Sequence, residues 1–225
     1  MEIAVLDLEP DPAAVAGRSA LGVACNDAGH DSITVIAIGP PDVDPGLRTA
    51  IGIGADRAIR IWEPSFGPLT PPSAAELVVA ALGGTPEAIL CAPVAESSLL
   101  RGTPGAVAAR TDRPVVGGVT GVTSAGTDTI RVRRRDAAAL TVDGGVVGLA
   151  ASGADPGYAT ISRLVAGVED RIDVRRPAEL GVSSDSRPEV HHQEGGRAPM
   201  WIDEPPDRAA DALVELLFDR GLVSE

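Results

Sequence analysis

The sequence predicts an α/β fold: a doubly wound, mainly parallel sheet with an antiparallel edge and a C-terminal extension. Three observations carry that prediction. Across residues 1–115, short apolar runs alternate with helical patterns, which implies crossover connections and parallel pairing. Those runs are apolar almost throughout, as strands buried on both faces are. Beyond residue 115 the runs alternate apolar with polar, and Gly-Thr-Asp and Asp-Gly-Gly turns separate them.

The elements follow in order. Ile3 to Leu8 (IAVLDL) reads as a strand, and the Ala-rich Ala13 to Ala28 as a helix with Gly29 as its C-cap. Ser32 to Ile38 (SITVIAI) is a second strand, stopped by Gly39-Pro40-Pro41. Pro45 to Ile53 is a short helix, with proline placed where its missing N–H does no harm. Gly54 supplies a left-handed cap, and Arg57 to Trp62 is the third strand. A helix over Ser73 to Leu82, a strand over Ala88 to Cys91 and a helix over Pro104 to Arg110 complete the wound half. Val115 to Thr123, Thr129 to Arg135 and Ala138 to Val142 are the hairpin strands of the edge, and Ile172 to Val174 is a further strand. Ser183 to Pro199 is a polar linker, and Asp207 to Leu217 an amphipathic helix. Residues 1–155 thus form the α/β domain, and residues 156–225 an arm, linker and helix that dock on the domain or on a partner.

Composition narrows the function. Of 225 residues 44% are hydrophobic and only 2% aromatic, so the core is built from Ala, Val, Leu and Ile. The net charge is −13, and every basic residue is Arg. So acidic a surface repels phosphate backbones and anionic lipid, which argues against nucleic-acid partners. Two readings fit the lysine-free acidity: GC-rich coding, or a halophilic, high-salt cytoplasm in which carboxylates keep the chain soluble. No run approaches the ~20 apolar residues of a membrane span, and the N-terminus MEIAVLDLEPD lacks a basic leader. The sequence therefore predicts a cytoplasmic protein without a membrane span.

Candidate chemical groups are sparse. Cys25 and Cys91 lie in apolar surroundings and read as small buried hydrophobes, with no CxxC pair. His191-His192 sit in the linker beside Glu189 and Glu194, where nothing fixes a metal geometry, and His30 reads as a surface turn residue. No Ser-His-Asp ordering and no GxSxG is present. The two glycines of Gly52-Ile53-Gly54 end a helix instead of opening one, so the dinucleotide fingerprint is missing. No catalytic residue and no metal ligand is predicted. Trp62 and Trp201 read as core-edge or interface residues. Arg131, Arg133 and Arg135 recur with period two, which places three guanidiniums on one strand face. That pattern suits a solvated outer face or a contact with an anion or an acidic partner.

The run from Ile33 to Ile61 resembles the electron-transfer flavoprotein β-subunit family. In that family a strand ends in a Gly-Pro turn and a helix follows that reads roughly LREALAMGADRAI. Here Gly39-Pro40 leads to LRTAIGIGADRAI, Leu47 to Ile59. The family also carries a run like RYATLPNI, then a strand, then Pro-x-x-Leu-Gly-Val. This chain has Gly157-Tyr158-Ala159-Thr160-Ile161-Ser162-Arg163, then Ile172 to Val174, then Pro177-Ala178-Glu179-Leu180-Gly181-Val182. The resemblance implies a Rossmann-like fold related to adenine nucleotide α-hydrolases. It implies an electron-transfer flavoprotein α-subunit as partner, FAD held mostly by that partner, AMP, and electrons received from dehydrogenases. It assigns dehydrogenase docking to Tyr158, Ala159, Thr160 and Ile161. Nucleotide binding falls to Ile38, Gly39, Ser97, Ser98, Arg101, Gly102 and Thr103.

The chain departs from the family at the ligands. The family's loop D-G-D-T-G-Q-V-G aligns with Ser97 to Pro104, so Ser97 and Leu99 replace its acids and Gly102 its glutamine. The loop still precedes a helix, whose first N–H groups suit a phosphate, but Pro104 cannot donate. The family's long segment after strand one, with its Asn-Pro-Phe element, shrinks here to Leu8-Glu9-Pro10-Asp11-Pro12. Its often Lys-rich arm reads Ala166-Gly167-Val168-Glu169-Asp170-Arg171, an altered charge that implies a different partner surface. Besides an electron-transfer subunit, the pattern leaves open an adenine-nucleotide-binding regulatory module, or a structural subunit without ligands.

Overall fold

A computed structural model describes residues 1–7, 15–26, 30–66, 69–92, 100–126, 128–151, 162 and 172–182. The chain divides into two compact units, Met1–Pro188 and Glu189–Glu225, and all described residues lie in the first. The linker after residue 182 and the helix expected at Asp207 to Leu217 lie outside the described residues.

Nine strands form one sheet. In chain order they are β1 (Glu2–Asp7), β2 (Ser32–Ile38), β3 (Arg57–Ile61), β4 (Ala88–Cys91), β5 (Val115–Gly126), β6 (Thr129–Arg134), β7 (Leu140–Asp143), β8 (Val146–Ala150) and β9 (Ile172–Arg175). Among the described residues four α-helices connect them: α1 (Val15–Cys25), α2 (Asp44–Ile53), α3 (Pro71–Leu82) and α4 (Thr103–Thr111). The order across the sheet is β7-β6-β5-β8-β4-β1-β2-β3-β9. Only the β5–β6 and β6–β7 pairs are antiparallel. This is the mixed, mostly parallel Rossmann-like α/β architecture that the sequence predicts.

Both faces of the sheet are covered. Ala20, Leu21, Val23 and Ala24 of α1 and Leu47, Ala50 and Ile51 of α2 pack on one face, against Ile3, Val5, Ile33 and Val35. Ala74, Leu77 and Val78 of α3 and Val107 and Ala108 of α4 pack on the other, against Leu6, Ile36, Ile59 and Ile89. Alternation along each strand sends successive side chains to opposite layers. The small residues on the helices let them lie close to the sheet, which fits a core nearly free of aromatics.

The structure differs from expectation at three places. Gly54 is not left-handed: its φ is 170°. The helix ends instead by turning two N–H groups, of Gly54 and Ala55, onto the carbonyl of Ala50, each at 3.0 Å. A strand absent from the sequence reading, β8, returns to the middle of the sheet between β4 and β5. Arg135 lies one residue past the end of β6, its N–H donated to the Gly118 carbonyl at 2.9 Å.

One motif gains a physical meaning. Pro177–Leu180 forms a 3-10 turn capped by Gly181 at φ 70°, a conformation that favours glycine. The Val182 N–H then closes on the Pro177 carbonyl at 3.0 Å, and Val182 is buried against the α3 layer. The Pro-x-x-Leu-Gly-Val run is thus a fastener for the chain after β9.

Candidate functional site

The sheet reverses its direction of winding at β1, whose neighbours are β2 on one side and β4 on the other. In open α/β sheets the crevice outside the carboxyl ends of the strands at such a point is the usual ligand site. Asp7 ends β1 and Cys91 ends β4 there. The loops that leave those ends, residues 8–14 and 93–99, lie outside the described residues, Ser97 and Ser98 among them. So do Tyr158, Ala159, Thr160 and Ile161.

The described rim consists of the end of β2 and the start of α4. Ile38 is 8% exposed and its side chain belongs to the core under α3 and α4, so only its backbone faces the crevice edge. Gly39 donates its N–H to the Ile61 carbonyl at 3.1 Å. A Cβ on Gly39 would lie 2.7 Å from Val43 Cγ1, so glycine is required for the chain to turn tightly from β2 into the 3-10 turn at Pro41–Val43.

Two helix N-termini meet beside this rim, and they differ. Thr70 caps α3: its N–H donates to Ser73 Oγ at 3.0 Å, and the Ser73 N–H donates to Thr70 Oγ1 at 3.4 Å. That terminus is satisfied by its own hydroxyls. Gly102 caps α4 without a side-chain bond, and it sits close to α3, since a Cβ on it would approach Pro71 Cβ and Cγ to 3.2 Å. Thr103 donates its N–H back to the Leu100 carbonyl at 2.9 Å, and Pro104 has none to give. Gly105 is the first position whose N–H neither feature takes. Thr103 is wholly buried and its Oγ1 has no hydrogen-bond partner. Arg101 is exposed.

A phosphate wants several convergent donors. The described start of α4 offers one hydroxyl, one exposed guanidinium and a first turn with two of its amides unusable. Among the described residues the set does not fit a nucleotide phosphate cradle.

A second polar group was not singled out by sequence. Arg60 is 9% exposed within β3. Its Nη1 lies 3.4 Å from Asp44 Oδ1 at the start of α2, an ion pair without hydrogen-bond geometry, and its Nε has no partner. The signal is present in RAIRI: Arg60 shares its strand face with Ala58, a core position.

The remaining titratable groups are structural. Burial pushes the Cys91 thiol up to about 12, which keeps it protonated and unreactive; Cys25 is half-buried. Hydrogen bonds from Arg175 and then Arg57 hold the Asp173 carboxyl below its usual range. Arg57 Nη2 approaches it from β3 at 2.6 Å, tying β9 to β3, and Arg175 Nη2 approaches it at 2.8 Å from within β9. Arg113 donates to the Pro86 carbonyl at the opposite, amino end of the strands. Among the described residues no group of three or more His, Cys, Asp or Glu could hold a metal, and no helix is long and apolar enough to cross a membrane.

A sheet with its switch point between β1 and β4, and the amino ends of α3 and α4 close together, defines a doubly wound α/β domain. A family model of the electron transfer flavoprotein domain matches residues 19–143, more than half of the chain. The match runs from within α1 to the last residue of β7. The chain belongs to the electron transfer flavoprotein domain family, a family of electron-transfer flavoproteins. No curated protein matches it.

Proposed function

We propose that this chain is the β-type subunit of an electron-transfer flavoprotein, the scaffold and docking half of a heterodimer that takes electrons from a dehydrogenase. The observation that carries this is the family match over residues 19–143, from within α1 through the hairpin extension to the end of β7. The β-type assignment rests on the Tyr158 to Ile161 run and on the Pro177 to Val182 fastener. FAD, held mainly by an α-type partner, supplies the redox chemistry when bound; this chain supplies geometry and partner surface, and is not itself an enzyme. The few donors among the described residues at the start of α4 support placing the cofactor with the partner.

Co-expression with an α-type subunit encoded beside it tests the reading. A yellow heterodimer with one FAD, and little or no AMP on denaturation and chromatography, is expected. A colourless, stable monomer that binds AMP would instead identify a nucleotide-binding regulatory module. A colourless heterodimer without nucleotide would identify a structural subunit.

A further inference from the structure

We infer that the turn from Pro40 to Gly46 is a gate on the rim of the switch-point crevice. It opens apart from the rest of α2, and the ill-matched pair of Asp44 and Arg60 sets how often. The gate needs only the crevice, not the partner subunit proposed above.

The turn is loosely tied. It follows Gly39, whose N–H donates to the Ile61 carbonyl at 3.1 Å. Pro40, Pro41 and Pro45 have no N–H to give. The Val43 N–H donates to the Pro40 carbonyl at 3.1 Å, and the Asp44 N–H to the Pro41 carbonyl. Both of these bonds stay inside the turn. Pro40, Pro41, Asp42 and Pro45 are exposed, and Val43 is the buried side chain that anchors the turn in the core. Leu47, 2% exposed, begins the part of α2 that packs on the sheet. Few buried contacts and few backbone bonds mark a segment of low local stability.

Beneath the turn lies a pair that closure leaves dissatisfied. Arg60 Nε and Nη1 are buried without a hydrogen-bond partner, and so is Asp44 Oδ1. Nη1 and Oδ1 stand 3.4 Å apart. The cation also lies at the amino end of α2, where the helix dipole is itself positive. A buried pair with such geometry does not offset its desolvation. Opening the turn carries Asp44 away and hydrates both groups. Val43 thus holds the turn closed, and the pair favours opening. The start of α3 is built differently, since the hydroxyls of Thr70 and Ser73 close it.

Opening changes the crevice. Gly39 is the rim residue at the end of β2, and the turn after it walls that side. Displacing the turn widens the entrance and presents the Arg60 guanidinium to what enters.

Amide exchange of the full-length chain, followed residue by residue by NMR, tests the gate. The amides of Val43, Asp44 and Gly46 are expected to exchange about a hundredfold faster than those of Ile51 to Ile53, with little dependence on added urea. Asp44→Asn, which leaves the Arg60 cation without its acid, should speed that exchange several-fold. Arg60→Met/Asp44→Asn, which removes both charges, should slow it about tenfold relative to the wild type. Both variants share Asp44→Asn, so ordinary fraying of a first helical turn cannot move them in opposite directions. A urea dependence equal to that of Ile51 to Ile53 would overturn the gate, because the turn would then open only with the helix. Exchange that is the same in the wild type and both variants would overturn the part played by the pair. If melting shows that the double variant does not fold, the single variant and the urea dependence decide.

Discussion

At the scale of single residues, Thr103 separates a ligand group from a packing group. Its buried hydroxyl has no partner, so removing it at constant shape sheds an unpaid desolvation cost. Thr103→Val is expected to raise stability by roughly 1 kcal/mol, read by urea denaturation; a loss of similar size would show that the hydroxyl does have a partner. Gly145 makes the opposite case. Its φ is 103°, and a Cβ would lie 2.7 Å from Arg113 Cζ and 2.9 Å from the Glu87 carbonyl oxygen. Gly145→Ala is expected to destabilise by roughly 2–3 kcal/mol by the same assay, and an unchanged midpoint would refute it. Arg60 belongs here too. Arg60→Ala leaves Asp44 without its nearest buried cation and is expected to cost about 2 kcal/mol.

At the scale of elements, the attachment of β9 depends on pH. Asp173 has a folded-state pKa below its unfolded one, because Arg175 and Arg57 donate to its carboxylate. Its contribution is therefore complete above the unfolded value near 3.8 and is lost as pH falls through the lower folded value. The carboxyl is part-exposed, so the effect is about 0.5–1 kcal/mol. Amide exchange in β9 should quicken, relative to β1, as pH falls below about 3.8, and Asp173→Asn should remove the difference. The elements also show what sequence patterning reads well. Apolar runs bounded by Gly and Pro place β2 and β4 at the observed bounds, because burial on both faces leaves a continuous apolar signature. Val146 to Ala150 is equally apolar yet follows three alternating strands and contains Gly148, which weakens a strand pattern. The reason for Gly148 is tertiary: a Cβ would lie 2.9 Å from Leu90 Cδ2 and 3.2 Å from Val119 Cγ2, so two neighbouring strands fill its space. Gly54 misleads for the opposite reason, since a glycine at a helix end suggests a left-handed cap where the backbone found another closure. The site was legible only as a place, the loop before α4. That Thr103 gives its amide to the Leu100 carbonyl and buries its hydroxyl without a partner is a tertiary outcome, which local sequence does not encode.

At the scale of the whole molecule, a net charge of −13 on 225 residues means self-repulsion that salt relieves. The melting temperature should rise in molar KCl, and a fall or no change would sink the high-salt reading of the composition. The position of β9 has a further consequence, for the life of the chain before it is complete. β3 ends at residue 61 and waits for a strand that begins at residue 172. Until that strand arrives, a growing or truncated polypeptide carries RAIRI as a naked edge with unpaired backbone groups, which invites another chain to complete it. Arg57 is then a gatekeeper as much as an ion-pair partner: it burdens the open edge with charge until the chain's own tail shields it. A chain ended before Ile172 should elute from a sizing column as oligomers, and further charge removal at Arg57 should make it precipitate.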